Sequence, residues 1–427
     1  MKKIGIRGYF INTLWLVSRP VSRLIAAAAV GIFVIRYLGP EQFGMLSYAE
    51  SFVTIFLPLV SLGLDQVLVR NIVRDRDATG SLLGTSFLLQ LAGALVSFTL
   101  IVPLIFVPSV DALTRYMTII IAVSIVFRPL GVLDIYFQSQ VTSQWVAIPE
   151  LIGVLISTLA KAACIIFKAP LVCFALIIPI ESLIIAFGLI VFYCKKKLSF
   201  AIWKVDWTLA RRLLSDSYPL MFSGFAMIIF MRVDQLMIRE MMDSAAVGQY
   251  AAAVRLSEVW YFIPGTLCAS VFPALVSVRD LDRGLYYHRL QNLYAMMFWL
   301  ALSVAVPLTF LSGPLVEILF GQEFTQSASV LRIHIWGGIF VFMGHAGAKW
   351  LIAENMMMKN LHRTLAGLII NILLNLFLIP RTGINGAAVA TLAAQAVAGF
   401  LYDAFDRETR MSFLMKCRIF TPFWQVK

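Results

Sequence analysis

Long apolar stretches alternate with short polar links along most of the chain. A helix needs about 20 apolar residues to cross the hydrocarbon core of a membrane. Stretches of this kind predict twelve spanning helices, at residues 13–36, 43–64, 82–106, 114–135, 145–167, 171–193, 217–239, 247–276, 291–311, 327–348, 363–380 and 384–404. The tenth is weak, because it is rich in Gly and contains Arg332, His334 and His345.

Composition agrees with this pattern. The chain of 427 residues is 60% hydrophobic and 14% charged, whereas soluble domains are about 45–50% apolar and about 25% charged. Because a spanning segment must satisfy its backbone polar groups internally, we predict an all-α polytopic membrane protein of about twelve transmembrane helices.

The basic residues are distributed unevenly between the polar links. With the N-terminus placed in the cytoplasm, 23 of the 35 Lys and Arg residues lie on the cytoplasmic side and 5 on the other, while the rest lie within apolar segments. This is the positive-inside pattern. It predicts an even number of helices with both termini in the cytoplasm, and it accounts for most of the net charge of +12 without a nucleic-acid partner.

The longest polar link, about 194–216, divides the chain into two predicted lobes, 1–200 and 201–427, with six helices each. Within it, the amphipathic piece from Trp203 to Leu214 is expected to lie on the cytoplasmic membrane surface. Gly44 and Gly248 each follow a hydrophobic residue and precede small residues at the outer entrance of a helix. The two halves therefore form a predicted parallel repeat, an architecture common among transporters.

Seven cations lie inside the apolar segments, where each costs about 2.5–3.5 kcal/mol on insertion scales. Such residues predict a positively charged, water-filled cavity for an anion. Six of the seven are arginines, which favours phosphate or diphosphate because guanidinium offers planar, bidentate donors. The seven are Arg19, Arg23, Arg128, Lys161, Arg232, Arg255 and Arg332.

Spacing and depth separate these cations. Arg19 and Arg23 are four residues apart and share one helix face, and Arg23 lies roughly 15 Å inside the cytoplasmic end of the helix. Arg23, Arg128 and Arg232 are the deep candidates for diphosphate binding. Arg19 could instead snorkel to the interface, and Lys161 and Arg332 are close enough to the outer surface to do the same.

Three acids near the arginines are candidates for charge pairing or for carrying coupling protons. Asp134 follows Arg128 by about two turns. Glu258 is three residues from Arg255, so these two could form a structural salt bridge, whereas Arg232 and Asp234 are two residues apart and should not pair. Glu150 and Glu181 are further acids in the helices of the first half.

Sequence patterns for catalysis are absent: there is no metal-binding histidine motif, nucleophile elbow or phosphate-binding loop. The five cysteines lie in or beside apolar segments and are expected to be free thiols. We therefore expect neither an enzyme nor a bound metal or cofactor.

Four stretches resemble the O-antigen repeat-unit flippases (Wzx-type) of the polysaccharide transporter family, within the multidrug/oligosaccharidyl-lipid/polysaccharide (MOP) superfamily. They are RYLGPEQFG at 36–44, RVDQ at 232–235 with VGQY at 247–250, AVRLSEVWYFIP at 253–264, and GINGAAVAT at 383–391. The resemblance covers nearly the whole chain. It implies two six-helix lobes in a V around a cationic cavity, and charged residues of the first, seventh and eighth helices lining it.

The resemblance also implies a bacterial inner-membrane protein that moves an undecaprenyl-diphosphate-linked oligosaccharide to the periplasmic leaflet by alternating access. Other proteins of polysaccharide assembly are implied as partners, besides the lipid bilayer. Two alternatives stay open: an exporter of another lipid-linked polymer, and a membrane enzyme such as a repeat-unit polymerase. The enzyme is disfavoured because the longest outer loop, about 312–326, holds only Glu317 and Glu323 as charges.

Overall fold

The computed structural model describes Trp15 and residues 18–106, 110–196, 199–279 and 281–420. Helices make up almost all of this described part, and it contains no strand. Ten of its helices are long and apolar enough to cross a membrane, or eleven when one bent pair is counted as a span. The prediction of an all-helical, multi-pass membrane protein is confirmed.

The difference from twelve predicted spans has two local causes. The first two predicted segments lie in one helical run, Ser18–Arg74, and the tenth is the bent pair Gln322–His334 and Gly337–Ala353, whose axes differ by 45°. Inside the first run the backbone breaks at Gly39, with φ +68°. Pro40 follows, and its fixed φ suits the first turn of a new helical piece.

The helices fall into two compact units. Unit 1 comprises the described residues up to Leu38 together with Met45–Ile228, and unit 2 comprises Gly39–Gly44 together with the described residues from Ile229 onward. The boundary lies inside a long helix, beyond the predicted lobe division at residue 200. Unit 2 thus includes a six-residue segment from the beginning of the chain.

The described part of unit 1 is built from a helical segment at residues 18–26, most of the helix that follows it, seven complete α-helices and the first part of another. A core of buried aliphatic side chains, including Leu64, Leu68, Val132 and Leu213, joins them. The helices are α1 (Ile32–Ile55), α2 (Leu57–Ser61), α3 (Leu64–Arg74), α4 (Thr79–Leu104), α5 (Ala112–Ala122), α6 (Val132–Ser139), α7 (Gln144–Ile166), α8 (Leu171–Lys195) and α9 (Trp207–Met241). A π-helical turn (Ala27–Gly31) precedes α1, and 3-10 segments precede α6 (Val123–Gly131) and α9 (Phe200–Ile202).

Unit 2 contains the rest of α9 and the helices that follow it. Its core includes Tyr286, Tyr294, Phe342 and Trp350. The helices are α10 (Ser244–Glu258), α11 (Phe262–Arg279), α12 (Arg283–Phe320), α13 (Thr325–His334), α14 (Gly337–Ala353), α15 (Met357–Thr382), α16 (Ile384–Ala396), α17 (Tyr402–Phe405) and α18 (Arg410–Cys417). Short 3-10 segments (Val259–Tyr261, Gln322–Phe324, Arg418–Phe420) and a π-helical turn (Val397–Leu401) complete it.

Aspartates begin several of these helices. The carboxylates of Asp111, Asp243 and Asp282 accept hydrogen bonds from backbone N–H groups in the first turns of α5, α10 and α12. Such caps satisfy donors that have no partner within the helix. They fix where the polar links end and the apolar spans begin.

Two glycines permit a very close backbone contact within unit 2. A Cβ added at Gly44 would lie 1.7 Å from the carbonyl oxygen of Ser244, and one added at Gly248 would lie 1.9 Å from that of Pro40. No side chain fits at either position. The two glycines that indicated a repeat in the sequence therefore pack against each other's segments.

The region 203–214 leads from a short link into a long helix. Trp203 donates a hydrogen bond to the hydroxyl of Tyr193 at 3.0 Å, and from Trp207 onward the chain is part of the 35-residue helix α9. Leu213 is fully buried in unit 1, whereas Trp207 is 69% exposed and Leu214 is 37% exposed. The expectation that this amphipathic segment lies on the membrane surface stays a prediction. All five cysteines lie in the described part and are free thiols, as predicted.

Candidate functional site

Arg19 is the centre of a charged cluster in unit 1. Its guanidinium forms a forked contact with Glu150, at 2.6 Å and 2.7 Å, and donates to Asp134 at 2.9 Å. The three side chains are 15–20% exposed. Planar two-point contacts between Arg and carboxylate are among the stronger hydrogen bonds in proteins, so the pair with Glu150 holds Arg19 firmly. Arg19 is paired here, which replaces the snorkelling alternative.

Arg23 lies one turn further along the same helix and is held more loosely. It makes one ion pair, to Glu181 at 3.0 Å, and 52% of its side chain is exposed. Both arginines line one cavity of about 410 Å³, as their four-residue spacing predicts. We call this space the charged cavity.

Arg128 is the third arginine of the charged cavity. It belongs to the 3-10 segment Val123–Gly131, which interrupts the fourth predicted span, and Pro129 beside it lacks a backbone donor. Tight 3-10 stretches inside a helix often mark functional positions. Arg128 forms no hydrogen bond or ion pair with any residue that the structure describes, and its side chain is exposed to the cavity.

Carboxyl groups balance the arginines of the charged cavity. Three arginines line it, and so do four acids: Glu50, Asp134, Glu150 and Glu181. With every acid ionised, this lining carries no excess of positive charge. The arginines are present as the sequence predicts, but their charge is compensated by acids from distant parts of the chain.

A second cavity of about 670 Å³ in unit 1 shares Leu57, Arg128, Gly131 and Asp134 with the first. We call it the amide cavity, because three glutamines line it: Gln66, Gln90 and Gln138. Asp65 is also on its wall. Arg128 and Asp134 therefore belong to both cavities.

The candidates in unit 2 are arranged differently. Arg232 approaches Glu258 at 3.9 Å, a loose ion pair with side chains 31% and 20% exposed. The guanidinium of Arg255 lies over the ring of Phe43, 4.7 Å from its centroid, which is a cation–π contact. Glu258 thus has Arg232 as a partner, besides the neighbour at Arg255 that the sequence suggested.

Asp234 is buried in unit 2, with 3% of its surface exposed. It accepts hydrogen bonds from Tyr250, Thr391 and Asn375. It pairs with no described cation, which agrees with the prediction that Arg232 and Asp234 do not meet. Its hydrogen bonds connect α9, α10, α15 and α16, so it holds the interior of this unit together.

Other intramembrane cations lie outside both cavities. Arg332 donates to the hydroxyl of Ser312 at 3.3 Å, and neither Arg332 nor Lys161 lines the charged or the amide cavity. The residues that the sequence did not single out are Glu50, Asp65, Gln66, Gln90 and Gln138. Some of them could have been identified in the sequence as polar side chains in the middle of an apolar helix, as Gln90 is in α4.

The chain is similar to proteins of polysaccharide and glycan biosynthesis. A family described as "Polysaccharide biosynthesis protein" matches residues 11–279. A curated relative, the probable low-salt glycan biosynthesis flippase Agl15 of Haloferax volcanii, is 24% identical over 214 residues, which cover 48% of this chain and 44% of the relative. The chain therefore spans less than half the length of that relative.

Solved structures of MOP transporters share the fold. The lipid II flippase MurJ, in an inward closed conformation, matches with a TM-score of 0.74 at 15% identity, covering 96% of this chain and 90% of that one. An inward-facing multidrug resistance transporter of the MATE family in the MOP superfamily matches with a TM-score of 0.73 at 13% identity, covering 95% and 98%. The fold is therefore of the MurJ and MATE type.

Proposed function

Because the chain belongs to the polysaccharide biosynthesis protein family and has the fold of MOP transporters, we propose that it is a flippase for a lipid-linked glycan. Its substrate is an undecaprenyl-diphosphate-linked oligosaccharide such as an O-antigen repeat unit. The protein carries it from the cytoplasmic to the periplasmic leaflet of a bacterial inner membrane, and both termini lie in the cytoplasm. Other polysaccharide assembly proteins supply and consume the glycan.

The observation that carries this proposal is the set of three arginines around the charged cavity, of which Arg128 forms no hydrogen bond or ion pair with a described residue. A diphosphate offers several oxygens to guanidinium donors, and two-point contacts of this kind give both affinity and orientation. Arg128 is free to make the first contact. Arg23 follows by giving up its single bond to Glu181.

The acids of the charged cavity affect the free energy of diphosphate binding. An incoming diphosphate adds negative charge to a lining in which four acids already face three arginines. The like charges repel unless a carboxyl group takes up a proton or a cation enters with the substrate. We therefore expect transport to be coupled to proton or cation movement, with Asp134, Glu150 and Glu181 as the acids concerned.

The cations of unit 2 complete the proposal. Arg232 has only a loose contact with Glu258, so it can turn to a phosphate at low cost. Arg255 rests on an aromatic ring and remains a second candidate. Asp234, fully engaged in hydrogen bonds, acts in positioning rather than in substrate contact.

A membrane enzyme is the less favoured alternative. The relative and the solved structures that match this chain are named as flippases or transporters. Another lipid-linked polymer would use the same phosphate contacts, so it differs from our proposal only in the glycan. The transport assay decides between the proposed glycan and another lipid-linked polymer.

The assay measures the appearance of a polyprenyl-diphosphate-linked oligosaccharide on the far leaflet of proteoliposomes. Wild-type protein should accelerate this transfer, and the double variant Arg23→Ala, Arg232→Ala should abolish it while the protein remains in the membrane. Lys161→Ala is the matched control, since it removes an intramembrane cation that lines neither cavity. Full activity in the double variant, or no acceleration by the wild type, would refute the proposal.

A further inference from the structure

The amide cavity is lined by polar side chains that form no hydrogen bond with any residue the structure describes. Gln90 is 3% exposed and lines the cavity, yet its amide forms no hydrogen bond with any residue that the structure describes. The amide of Gln90 therefore keeps its donors and its acceptor for a molecule that enters the cavity.

Three exposed residues of the described part, Asp65, Gln66 and Arg128, also line the amide cavity without a hydrogen bond to another described residue. Asp65 and Arg128 attract each other through their charges. Gln138 differs, because its amide donates to Asp134 at 2.7 Å. The free groups together offer amide donors and acceptors, a carboxylate acceptor and a guanidinium donor, converging on a space of about 670 Å³. Ligand pockets have volumes of about 300–1,000 Å³ and a few convergent polar groups.

This set of groups matches a ligand rich in hydroxyl groups. Each hydroxyl can donate to the carboxylate of Asp65 and accept from an amide such as that of Gln66 or Gln90. Apolar walls at Leu57, Pro58 and Met221 can contact the C–H faces of a ring. A ligand of this kind is a sugar.

We propose that the amide cavity binds the sugar attached directly to the lipid diphosphate, and that it selects a neutral or amino sugar over a uronic acid. The inference rests on the proposed function. The two cavities share Arg128, Gly131 and Asp134, so a diphosphate at Arg128 places its first sugar at this wall. With Arg128 engaged by the diphosphate, Asp65 repels a carboxylate at this wall and accepts hydrogen bonds from hydroxyl or ammonium groups.

The test compares three lipids in proteoliposomes: polyprenyl diphosphate alone, the same lipid carrying N-acetylglucosamine, and the same lipid carrying glucuronic acid. Wild-type protein should move the N-acetylglucosamine lipid at least about tenfold faster than the glucuronic acid lipid. Gln90→Leu and Gln66→Leu should each lower the ratio of the N-acetylglucosamine rate to the sugar-free rate by about tenfold, the effect of losing one or two hydrogen bonds. Gln66 is exposed to the cavity, so its variant tests the inference even where Gln90→Leu fails to fold.

Gln140→Leu is the matched control. Gln140 is two residues from Gln138, bonds the hydroxyl of Ser139 and lines neither cavity. Its variant should keep the wild-type ratio. If neither Gln90→Leu nor Gln66→Leu changes the ratio while the wild type still moves the lipids, the sugar site is refuted and the proposed flippase function stands. If the wild type moves none of the three lipids, the proposed function fails and the inference fails with it.

Discussion

Arg19 and Arg128 line the same cavity but should respond in opposite ways to truncation. Arg19→Ala leaves Glu150 and Asp134 without their cation, whereas Arg128→Ala removes a group that has no described partner. We expect Arg19→Ala to lower both stability and transport. Arg128→Ala should lower transport alone.

The magnitudes follow from the contacts. Removing one partner of a fully buried ion pair costs about 3–5 kcal/mol, and the Arg19 cluster is 15–20% exposed, so we expect a loss of about 2–4 kcal/mol. For a unit of this size that lowers Tm by about 5–15 °C. Arg128→Ala should change the free energy of unfolding by less than about 0.5 kcal/mol. Under the proposed function Arg128→Ala also removes charge-assisted bonds to phosphate of about 1.5–3 kcal/mol, so kcat/KM should fall by about 10–100-fold.

Both properties are measured on the same detergent-purified and reconstituted preparations, Tm by thermal unfolding and transport by leaflet accessibility. The double variant Arg19→Ala, Glu150→Gln should recover part of the lost Tm, because it removes one of the unpaired carboxylates. The reasoning is wrong if Arg128→Ala lowers Tm as much as Arg19→Ala does, or if it leaves kcat/KM unchanged.

Two further predictions concern the scaffold. Gly248→Ala places a Cβ 1.9 Å from the carbonyl oxygen of Pro40 and should destabilise the protein by about 1–3 kcal/mol or more. The control, Gly313→Ala, has no atom within 4 Å of its Cβ and should leave Tm unchanged or raised. Equal Tm values for the two variants would contradict the close contact. In the link before α9, the Thr208 side chain and the Leu209 backbone hydrogen-bond the Asp206 carboxylate and hold its pKa below the usual 3.8. The ionised carboxylate of Asp206 therefore stabilises the folded protein fully above pH 3.8, and this stabilisation is lost as pH falls through the lowered pKa. The Tm difference between wild type and Asp206→Ala should narrow towards pH 3. A difference that stays constant with pH would refute this role of Asp206.

Much of the fold could be predicted from the sequence because it depends on local pattern. Apolar run length identified the spanning helices, and the four-residue spacing placed Arg19 and Arg23 on one face. The break at Gly39 and the bend before Gly337 were harder to predict. At each, two helical pieces join, and whether they continue as one helix depends on packing. A count of apolar runs therefore gave one or two more spans than the helices themselves.

Only the arginines of the charged cavity could be predicted from the sequence. The arginines stand out because they are costly inside a membrane, and each can be recognised alone. Their partners cannot, because Glu150 is 131 residues from Arg19 and Glu181 is 158 residues from Arg23. Nothing local distinguishes an acid that meets an arginine from one that faces water.

Under the proposed function, the acids around the charged cavity also determine how easily a diphosphate reaches each arginine. Glu150 pairs with Arg19 and Glu181 pairs with Arg23, which offsets the cost of placing these two arginines inside a membrane. The same acids compete with the substrate and limit its affinity, which favours its release on the far side. Arg128 makes no hydrogen bond or ion pair with a described carboxylate, and only the longer-range attraction of acids such as Asp65 and Glu150 acts on it. If the proposed function holds, we expect a diphosphate to engage Arg128 first, then Arg23, which has one exposed bond to break, and Arg19 last.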